Sequence, residues 1–389
     1  KWFPTGCHKV GASFGCLAPR LVTGQFDAAS QKAVWPSTGN YCRGGAFNSK
    51  LLGVHGVAIL PAGMSQERFD WLASIDADVI KTPGCESNVK EIFDKTNELS
   101  RDPSCMIFNQ FAEMGNHLWH YKVTGAAVAE AFEDAKRPGD RLAGACFTSG
   151  SAGTIGCGDY LKEVYPAMKL AVGEAVQCPT ILNNGFGDHR VEGIGDKHVP
   201  WIHDVKNTDM VVAVDDNDAM ALLRLFNEPA GKAQLIDAGV DPQLVEQLSL
   251  MGISGIANVL CCIKLAKYYE LTEHDVVCTV LTDSADMYRS RLAELTEQLG
   301  AYDAKTAAYD FALHLMGLKT DCMAELGYYD RKRVHNLKYY TWVEQQGKTT
   351  DELDALWYGT EWADVHSQAD ALDELIRAFN EETGVLKSL

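Results

Sequence analysis

The stretch PTGCHKVGA, residues 4–12, decides how this sequence is interpreted. Its lysine, Lys9, follows a Thr-Gly turn and precedes small residues, which predicts a lysine at the start of a helix with its amine directed into a cleft. Burial disfavours the ammonium form and lowers the pKa, so that such an amine can form a Schiff base with a carbonyl compound. Because most lysines are solvated surface charges, this interpretation depends on partner motifs farther along the chain.

Two glycine-containing motifs complement Lys9. GSAGT at residues 150–154 follows the apolar run 143–148 and precedes an amphipathic stretch, which is typical of a loop between a strand and a helix. Glycine and alanine let backbone N–H groups approach an anion, and the helix dipole adds partial positive charge, so this loop suits a phosphate. STGN at residues 37–40 offers two hydroxyls, a backbone N–H group and an amide, which suit a carboxylate and a phenolic oxygen.

Each motif by itself has a simpler interpretation. Residues 150–154 could form a plain turn between a strand and a helix, and residues 37–40 could form a turn that caps a helix. His8 could hydrogen-bond a phosphate or could be an ordinary buried histidine. Together, however, an amine, a phosphate loop and a carboxylate seat are what a site for pyridoxal 5'-phosphate requires.

Composition limits the class of protein. A chain of 389 residues exceeds the usual size of a single core, so two domains or lobes are expected. A formal charge of −18 without a long basic run argues against binding to nucleic acid or to anionic membranes. The 12 cysteines are scattered, and no signal peptide or membrane-spanning run is evident, which predicts a cytoplasmic protein with reduced thiols. Cys261 and Cys262 are adjacent and cannot face one metal from a helix, and no metal site is expected.

Short apolar runs alternate with amphipathic stretches over most of the chain. The predicted strands are residues 53–60, 76–81, 105–111, 142–148, 170–176, 209–214 and 276–281, and the predicted helices include residues 65–73, 86–99, 123–132, 153–164 and 254–269. This alternation predicts an α/β fold with mainly parallel sheets flanked by helices and with ligands beyond the carboxyl ends of the strands. From about Arg289 onward no strand is predicted, and the segment is interpreted as a helical extension for oligomer contacts or active-site cover.

The sequence resembles the fold type II pyridoxal-phosphate-dependent enzymes, in particular the cysteine synthase and tryptophan synthase β-like family. Residues 4–9 resemble the family motif Pro-Thr-Gly-Ser-x-Lys, and residues 37–40 resemble its Thr-Ser-Gly-Asn loop. Further matches are Gln110-Phe111 with Asn116 and residues 120–125, the loop 150–154, HRVEGIG at 189–195 and GISG at 252–255. Their order and spacing agree with the family over residues 4–288.

The resemblance implies a two-lobed fold and a role for each matched residue. The implied large cofactor-binding domain is residues 1–20 and 142–288, the small substrate-loop domain is residues 21–141, and residues 289–389 form a helical C-terminal extension. Lys9 would bind the cofactor covalently and move the α-proton of the substrate. The implied cofactor-binding residues are Lys9, His8, Asn40, Gly150, Ser151, Ala152, Gly153, Thr154, Asp283 and Ser284, and the implied substrate-binding residues are Ser37, Thr38, Gly39, Asn40 and Gln110.

The implied reaction is β-elimination or β-replacement on a small β-substituted amino acid, through an aminoacrylate intermediate, in a homodimer. An ammonia-lyase or a racemase of the same fold is an alternative, and a pyridoxal-phosphate-binding scaffold without activity is an alternative of another class. The chain departs from the family in three places. Family members have several tens of residues before the lysine, so either a preceding part is missing or the small domain is rebuilt. LTDSADMY at 281–288 stands where the family has Pro-Ser-x-Gly-Glu-Arg-Tyr, which puts Asp283 near the pyridine nitrogen, or Thr282 or Ser284 after a slip of one residue. The helical tail after Arg289 has no counterpart in simple cysteine synthases.

Overall fold

The computed structural model describes residues 3–84, 89–195, 197–384 and 387. The strands are β1 Lys32–Pro36, β2 Gly56–Pro61, β3 Asp78–Thr82, β4 Cys105–Ile107, β5 Arg141–Thr148, β6 Lys169–Ala175, β7 Met210–Val214, β8 Asp275–Cys278 and β9 Met323–Glu325. The helices are α1 Lys9–Val22, α2 Asn40–Leu51, α3 Gln66–Ser74, α4 Val89–Leu99, α5 Met114–Trp119, α6 Gly125–Ala135, α7 Ile155–Val164, α8 Thr180–Asn183, α9 Asp216–Asn227, α10 Pro229–Asp237, α11 Pro242–Gln247, α12 Ile253–Tyr268, α13 Arg289–Leu299, α14 Ala304–Asp310, α15 Tyr328–Lys338, α16 Thr350–Tyr358 and α17 Glu361–Thr383.

The strands form two sheets. The small sheet has the order β3-β2-β1-β4, and all its pairs are parallel. The large sheet has the order β8-β5-β6-β7-β9 and is parallel except for the pair of β7 with β9. Strands such as β7, MVVAV, are buried at every position because helices cover both faces of the sheet. This architecture confirms the predicted α/β class with parallel-rich sheets flanked by helices.

Two strands were not expected from the sequence. Strand β1 lies inside the small sheet between β2 and β4, but it has only five residues and ends at Pro36, so its local pattern is weak. Strand β9 lies in the segment after Arg289, for which only helices were predicted, and it pairs antiparallel with β7. A strand of three residues carries little periodicity of its own, and its conformation depends on pairing with the edge of a sheet.

Helix α1 packs on the small sheet. It begins at Lys9, as predicted, and its residues Ala12, Cys16 and Leu17 are buried in one cluster with Ala33 and Trp35 of β1. Residues 1–20 were expected to belong with the large domain, but the apolar face of α1 makes its core contacts with elements of the small sheet. The packing partner of α1 is determined by tertiary contacts, which the sequence motif around Lys9 does not specify.

The C-terminal segment is folded against the rest of the chain. Trp342, Leu353, Leu356 and Trp362 share one buried cluster with Phe93, Phe111, Trp201 and Ile202, and we call these eight residues the aromatic cluster. The indole N–H of Trp342 donates to the Val199 carbonyl at 2.9 Å. The prediction of a mainly helical C-terminal region is therefore confirmed, and its tryptophans are packing anchors. Within the described ranges, no helix combines the length and the apolar character that a membrane span requires.

His198 is buried against the aromatic cluster. Its ring centroid lies 4.8 Å from that of Phe111, 5.6 Å from Phe93 and 5.8 Å from Trp342. Burial in these apolar surroundings disfavours the imidazolium form and lowers the pKa of His198 to about 3.

We expect the free energy of unfolding to decrease as the pH falls below about 6.5. Protonation of His198 in the unfolded chain should cause part of this decrease. The unfolded chain binds a proton at this residue below its ordinary pKa, whereas the folded chain does not until the pH approaches 3. Between these limits, His198 should lower the free energy of unfolding by about 1.4 kcal/mol per pH unit. Urea unfolding at pH 6 and pH 5 should show a smaller decrease in the free energy of unfolding for His198→Leu than for the wild type. Exposed His55→Leu is the control, and equal pH dependence in both variants would contradict the assignment.

Candidate active site

A cleft lies where residues that follow β1, β5 and β8 meet the start of α1. It contains about 600 Å³ of space between atoms, part of which opens to solvent. Its walls are His8, Lys9, Ser37, Thr38, Asn40, Tyr41, Gln110, Phe111, Thr148, Gly150, Ser151, Ala152, Gly153, Thr154, Gly193, Ile194, Ser254, Asn258 and Thr282. The structure thus brings Lys9, both glycine motifs and Gln110 to one place, as the sequence predicted.

Ser151 connects Lys9 to the loop 150–154. Lys9 Nζ donates to Ser151 Oγ at 2.5 Å, and Asn116 Nδ2 donates to the same oxygen at 3.0 Å. The Asn116 amide also donates to the Gln110 carbonyl at 2.9 Å. Because α1 and α5 both place a donor on one hydroxyl, the lysine amine is held at the edge of the loop.

The loop 150–154 presents unused backbone donors at the start of α7. Among the described residues, none accepts a hydrogen bond from the backbone N–H groups of residues 151–154. The loop approaches its neighbours closely, since a Cβ atom on Gly153 would lie 2.2 Å from Asn116 Oδ1. Ala152 adopts a left-handed backbone with φ of 63°. Free N–H groups at a helix N-terminus form a binding site for an anion such as phosphate.

The motif at residues 37–40 lines the same cleft as this loop. Gly39 has φ of 148°, and its N–H group donates to Ser37 Oγ at 2.9 Å. Asn40 begins α2, and its Nδ2 atom donates to Asp283 Oδ2 at 2.8 Å. Ser37, Thr38 and Asn40 line the cleft, whereas Gly39 shapes the turn. The hydroxyls and the amide are therefore presented to a ligand by the beginning of a helix.

Thr282, and not Asp283 or Ser284, lines the cleft beside Ser254. The hydroxyl oxygens of Thr282 and Ser254 lie 2.5 Å apart. Asp283 lies behind the lining of the cleft, where its Oδ2 atom accepts from both Asn40 and the Tyr288 hydroxyl, the latter at 2.7 Å. The expectation that Asp283 and Ser284 contact the cofactor is corrected accordingly. The register is fixed by the backbone, because His8 N donates to Thr282 O and Gly252 N donates to Asp283 O, at 3.1 and 2.9 Å.

The immediate surroundings of Asp283 and His8 disfavour their charged forms. Burial raises the pKa of Asp283, and the nearby positive charge of Arg68 opposes this effect. Burial and the charge of Lys9 lower the pKa of His8 to about 3, so that His8 is a neutral ring at the start of α1. A neutral imidazole can donate one hydrogen bond to an anion without adding charge.

A buried ion pair beneath the motif at 37–40 was missed by the sequence analysis. Arg68 of α3 is fully buried, its Nη1 atom lies 3.2 Å from Glu192 Oε2, and it donates to the Thr38 carbonyl at 2.8 Å. Its Nη2 atom donates to the Tyr288 hydroxyl at 3.1 Å. Glu192 also pairs with Arg291 at 2.6 Å. Glu192 lies within the HRVEGIG segment, but Arg68 stands in an ordinary amphipathic helix that gives no local signal.

Comparison with known proteins identifies the family. The sequence model described as pyridoxal-phosphate dependent enzyme matches residues 4–239, which include Lys9 and the loops 37–40 and 150–154. The chain belongs to this family. It is therefore an enzyme of the pyridoxal-phosphate-dependent class, and the resemblance seen in its motifs is confirmed.

Individual proteins of known sequence or structure also resemble this chain. A probable cysteine synthase of Bacillus subtilis is 28% identical over 289 residues, which cover 74% of this chain and 85% of that protein. Cystathionine beta-synthase of Saccharomyces cerevisiae is 26% identical over 364 residues, which cover 91% of this chain and 68% of that protein. The crystal structure of a hydrogen sulfide-producing enzyme from Fusobacterium nucleatum superposes with a TM-score of 0.63 at 21% identity, covering 73% of this chain and 88% of the other. This last likeness shows a shared fold.

The cleft of this pyridoxal-phosphate-dependent enzyme suits its cofactor. The unused N–H groups of residues 151–154 match a phosphate, and the Lys9 amine is present to react with an aldehyde. The hydroxyl pair of Thr282 and Ser254 can donate to or accept from a ring nitrogen. The donor set and the cofactor therefore agree.

Replacing Gly153 with alanine should weaken binding of pyridoxal phosphate by at least about 10-fold. The new Cβ atom would collide with the Asn116 amide 2.2 Å away and displace the N–H groups of the loop. Loss of one charge-assisted hydrogen bond of about 1.5 kcal/mol would already account for such a change. Titration of the apoprotein with cofactor, followed by absorbance, gives the affinity. Gly255→Ala is the matched control because its Cβ atom would meet other atoms only at 3.8 Å. Equal affinity in the two variants would contradict the predicted role of the loop.

Proposed function

We propose that this enzyme catalyses β-elimination or β-replacement on a small β-substituted amino acid. The observation that carries the proposal is the position of Lys9 Nζ, 2.5 Å from Ser151 Oγ at the edge of a loop with unused N–H groups. The names of the relatives, a probable cysteine synthase and a cystathionine beta-synthase, support this reaction class. The polar cleft walls support a small substrate that carries a carboxylate.

We assign the roles of the residues from their places in the cleft. When bound, pyridoxal phosphate withdraws electrons from the α-carbon of an attached amino acid, which makes the α-proton acidic and allows a β-substituent to leave. Lys9 would hold the cofactor and later accept the α-proton at Nζ, as a general base. Residues 150–154 would bind the phosphate, with His8 beside them, and Asn40 would hydrogen-bond the ring oxygen. The hydroxyl of Thr282 would face the ring nitrogen.

The proposed carboxylate seat consists of Ser37, Thr38, Asn40 and Gln110, with Gly39 shaping the turn that holds the first two. Ser37 and Thr38 lie in the turn that begins α2, so their hydroxyls lie at a helix N-terminus, where the dipole favours an anion. Gln110 and the loop 150–154 are connected through Asn116. A substrate held by this seat would have its α-carbon close to Lys9, which lies on the facing wall.

The same residues are also compatible with other reactions, which experiments can distinguish. An ammonia-lyase or racemase also needs a base at Lys9, and a binding scaffold would keep the cofactor without turnover. We further propose a homodimer, the commonest form of symmetric assembly. The thiols of the described cysteines, most of which are buried, support a reducing compartment such as the cytoplasm.

Lys9→Ala should bind pyridoxal phosphate without a covalent link and should lose on the order of 1000-fold or more in turnover, since removal of a general base alone costs about 100- to 10,000-fold. Borohydride should fix the cofactor to Lys9 in the wild-type protein, as located by mass spectrometry, and should fix none in the variant. Exposed Lys50→Ala serves as the control and should retain both properties. Covalent attachment at another lysine would refute the assignment of Lys9.

A panel of β-substituted amino acids should reveal the reaction type. With serine, O-acetylserine, cysteine and related substrates, elimination releases a 2-oxo acid without a second reactant, whereas replacement consumes an added thiol or sulfide. Chiral chromatography detects racemisation in the same mixtures. We expect elimination or replacement to be at least about 10-fold faster than racemisation, a preference of about 1.4 kcal/mol in activation free energy. Silence across the panel in a protein with bound cofactor would favour the scaffold.

A further inference from the structure

Three side chains that the proposed reaction does not use meet beside the active site. They are His117 of α5, Asp159 of α7 and His366 of α17, and we call them the His-Asp-His cluster. His117 Nε2 lies 2.9 Å from His366 Nε2 and 3.7 Å from Asp159 Oδ2. His117 is fully buried, Asp159 is nearly so, and 14% of the His366 side chain is exposed. Three separate helices thus direct one nitrogen or oxygen atom each toward a common point.

The two imidazole rings face each other through nitrogen atoms. A neutral imidazole carries its single proton on one nitrogen and a lone pair on the other. His366 Nδ1 lies 3.8 Å from Glu163 Oε1, too far for a hydrogen bond, but the negative carboxylate favours the proton on Nδ1, which leaves the Nε2 lone pair on the side of His117. Two lone pairs cannot face each other at 2.9 Å, so either a shared proton or a cation must lie between the rings.

Asp159 supplies an independent reason to expect a cation. Its Oδ1 atom accepts from Asn207 Nδ2 at 2.6 Å, but its buried Oδ2 atom has no hydrogen-bond donor among the residues that the structure describes. A buried carboxylate oxygen without a donor is costly. This oxygen is directed at the same space as the two imidazole nitrogens, and a metal ion there would satisfy all three atoms.

We propose that His117, Asp159 and His366 bind a divalent transition metal ion, and that the ion is Zn²⁺. Two imidazole nitrogens and one carboxylate oxygen are a ligand set that suits zinc, with a water molecule at the fourth position. Zinc prefers about 2.0 Å to each nitrogen, so the two Nε2 atoms would need to separate from 2.9 Å to about 3.3 Å. Because the two rings are nearly coplanar and face each other, both would also need to tilt before their lone pairs converge on one ion.

The surroundings of the cluster would keep its side chains in position. The Glu163 carboxylate lies 3.8 Å from His366 Nδ1, where it can orient that ring by charge, as outer carboxylates do at zinc sites. Tyr121 stacks on His366 with a centroid distance of 3.6 Å, and the Trp362 ring lies 5.0 Å from that of His117. These aromatic rings pack against both imidazoles and hold them in place.

The position of the cluster indicates what the metal would do. Asn116, which bonds Ser151 of the cofactor loop, directly precedes His117 in α5. A bound zinc ion would therefore fasten the C-terminal helix α17 to the helix that supports the active site. This role is structural, and it does not depend on the reaction that the enzyme catalyses.

Zinc titration of the holoenzyme tests the proposal. Protein freed of metal with a chelator is titrated with Zn²⁺ in competition with a chromophoric chelator, and the expected result is one tightly bound zinc ion per chain. His366→Ala should weaken this affinity by more than about 100-fold, since loss of an outer partner alone costs about 10- to 100-fold. Glu163→Gln should weaken it by about 10-fold for that reason. His314→Ala is the control, because His314 bonds Asp218 instead, and it should bind zinc like the wild type.

The 12 cysteines are the main competing zinc ligands, and His366→Ala retains all of them. Substitution with Co²⁺ distinguishes the two ligand sets, because a nitrogen and oxygen site lacks the sulfur-to-cobalt charge-transfer band of a thiolate site. Zinc should also raise the Tm of the wild type but not that of His366→Ala. Unchanged zinc affinity in His366→Ala, or no tight zinc binding by the wild type, would overturn the proposal. The second result would leave an N–H···N hydrogen bond as the link between the rings.

Discussion

The cofactor site depends on one hydroxyl group that accepts two hydrogen bonds. Ser151 Oγ is bound by Lys9 Nζ at 2.5 Å and by Asn116 Nδ2 at 3.0 Å, from helices α1 and α5. The loop is thereby held in place through a side chain, and the backbone N–H groups of residues 151–154 are left for an anion. A loop fixed by its own N–H groups would be equally rigid but would have no donors to offer.

A buried network of charges connects the two sides of the cleft. Arg68 belongs to α3 beside the small sheet, whereas Glu192 and Tyr288 lie in segments that follow strands of the large sheet. Because a buried guanidinium is costly unless it is paired, loss of one partner would leave an uncompensated charge. Arg68 also binds the Thr38 carbonyl, so the position of the carboxylate seat depends on this network. Disruption of the network would therefore both destabilise the fold and change the geometry of the proposed site.

Local sequence patterns predicted the parts of the site that a single segment of the chain forms. They did not predict the contacts between segments that are far apart in the sequence. Lys9 and the loop 150–154 follow from a turn and from a strand-loop-helix sequence, both of which are local. The choice between Thr282 and Asp283 depends on a register of one residue, which the contacts of His8 and Gly252 with the backbone decide. The packing of α1, the burial of Arg68 and the His-Asp-His cluster depend on tertiary contacts without a sequence signature.

The C-terminal region packs behind the active-site wall, although the match to the family ends at residue 239. Phe111 lines the cleft on one side and packs in the aromatic cluster with Trp342 and Trp362 on the other. In the same region, α17 brings His366 to His117, the neighbour of Asn116. Movement of this region would displace both Phe111 and α5, and with them the support of the cofactor loop. The C-terminal region is therefore connected to the cleft through the packing of Phe111 and of α5, because the described residues that line the cleft all lie at or before Thr282.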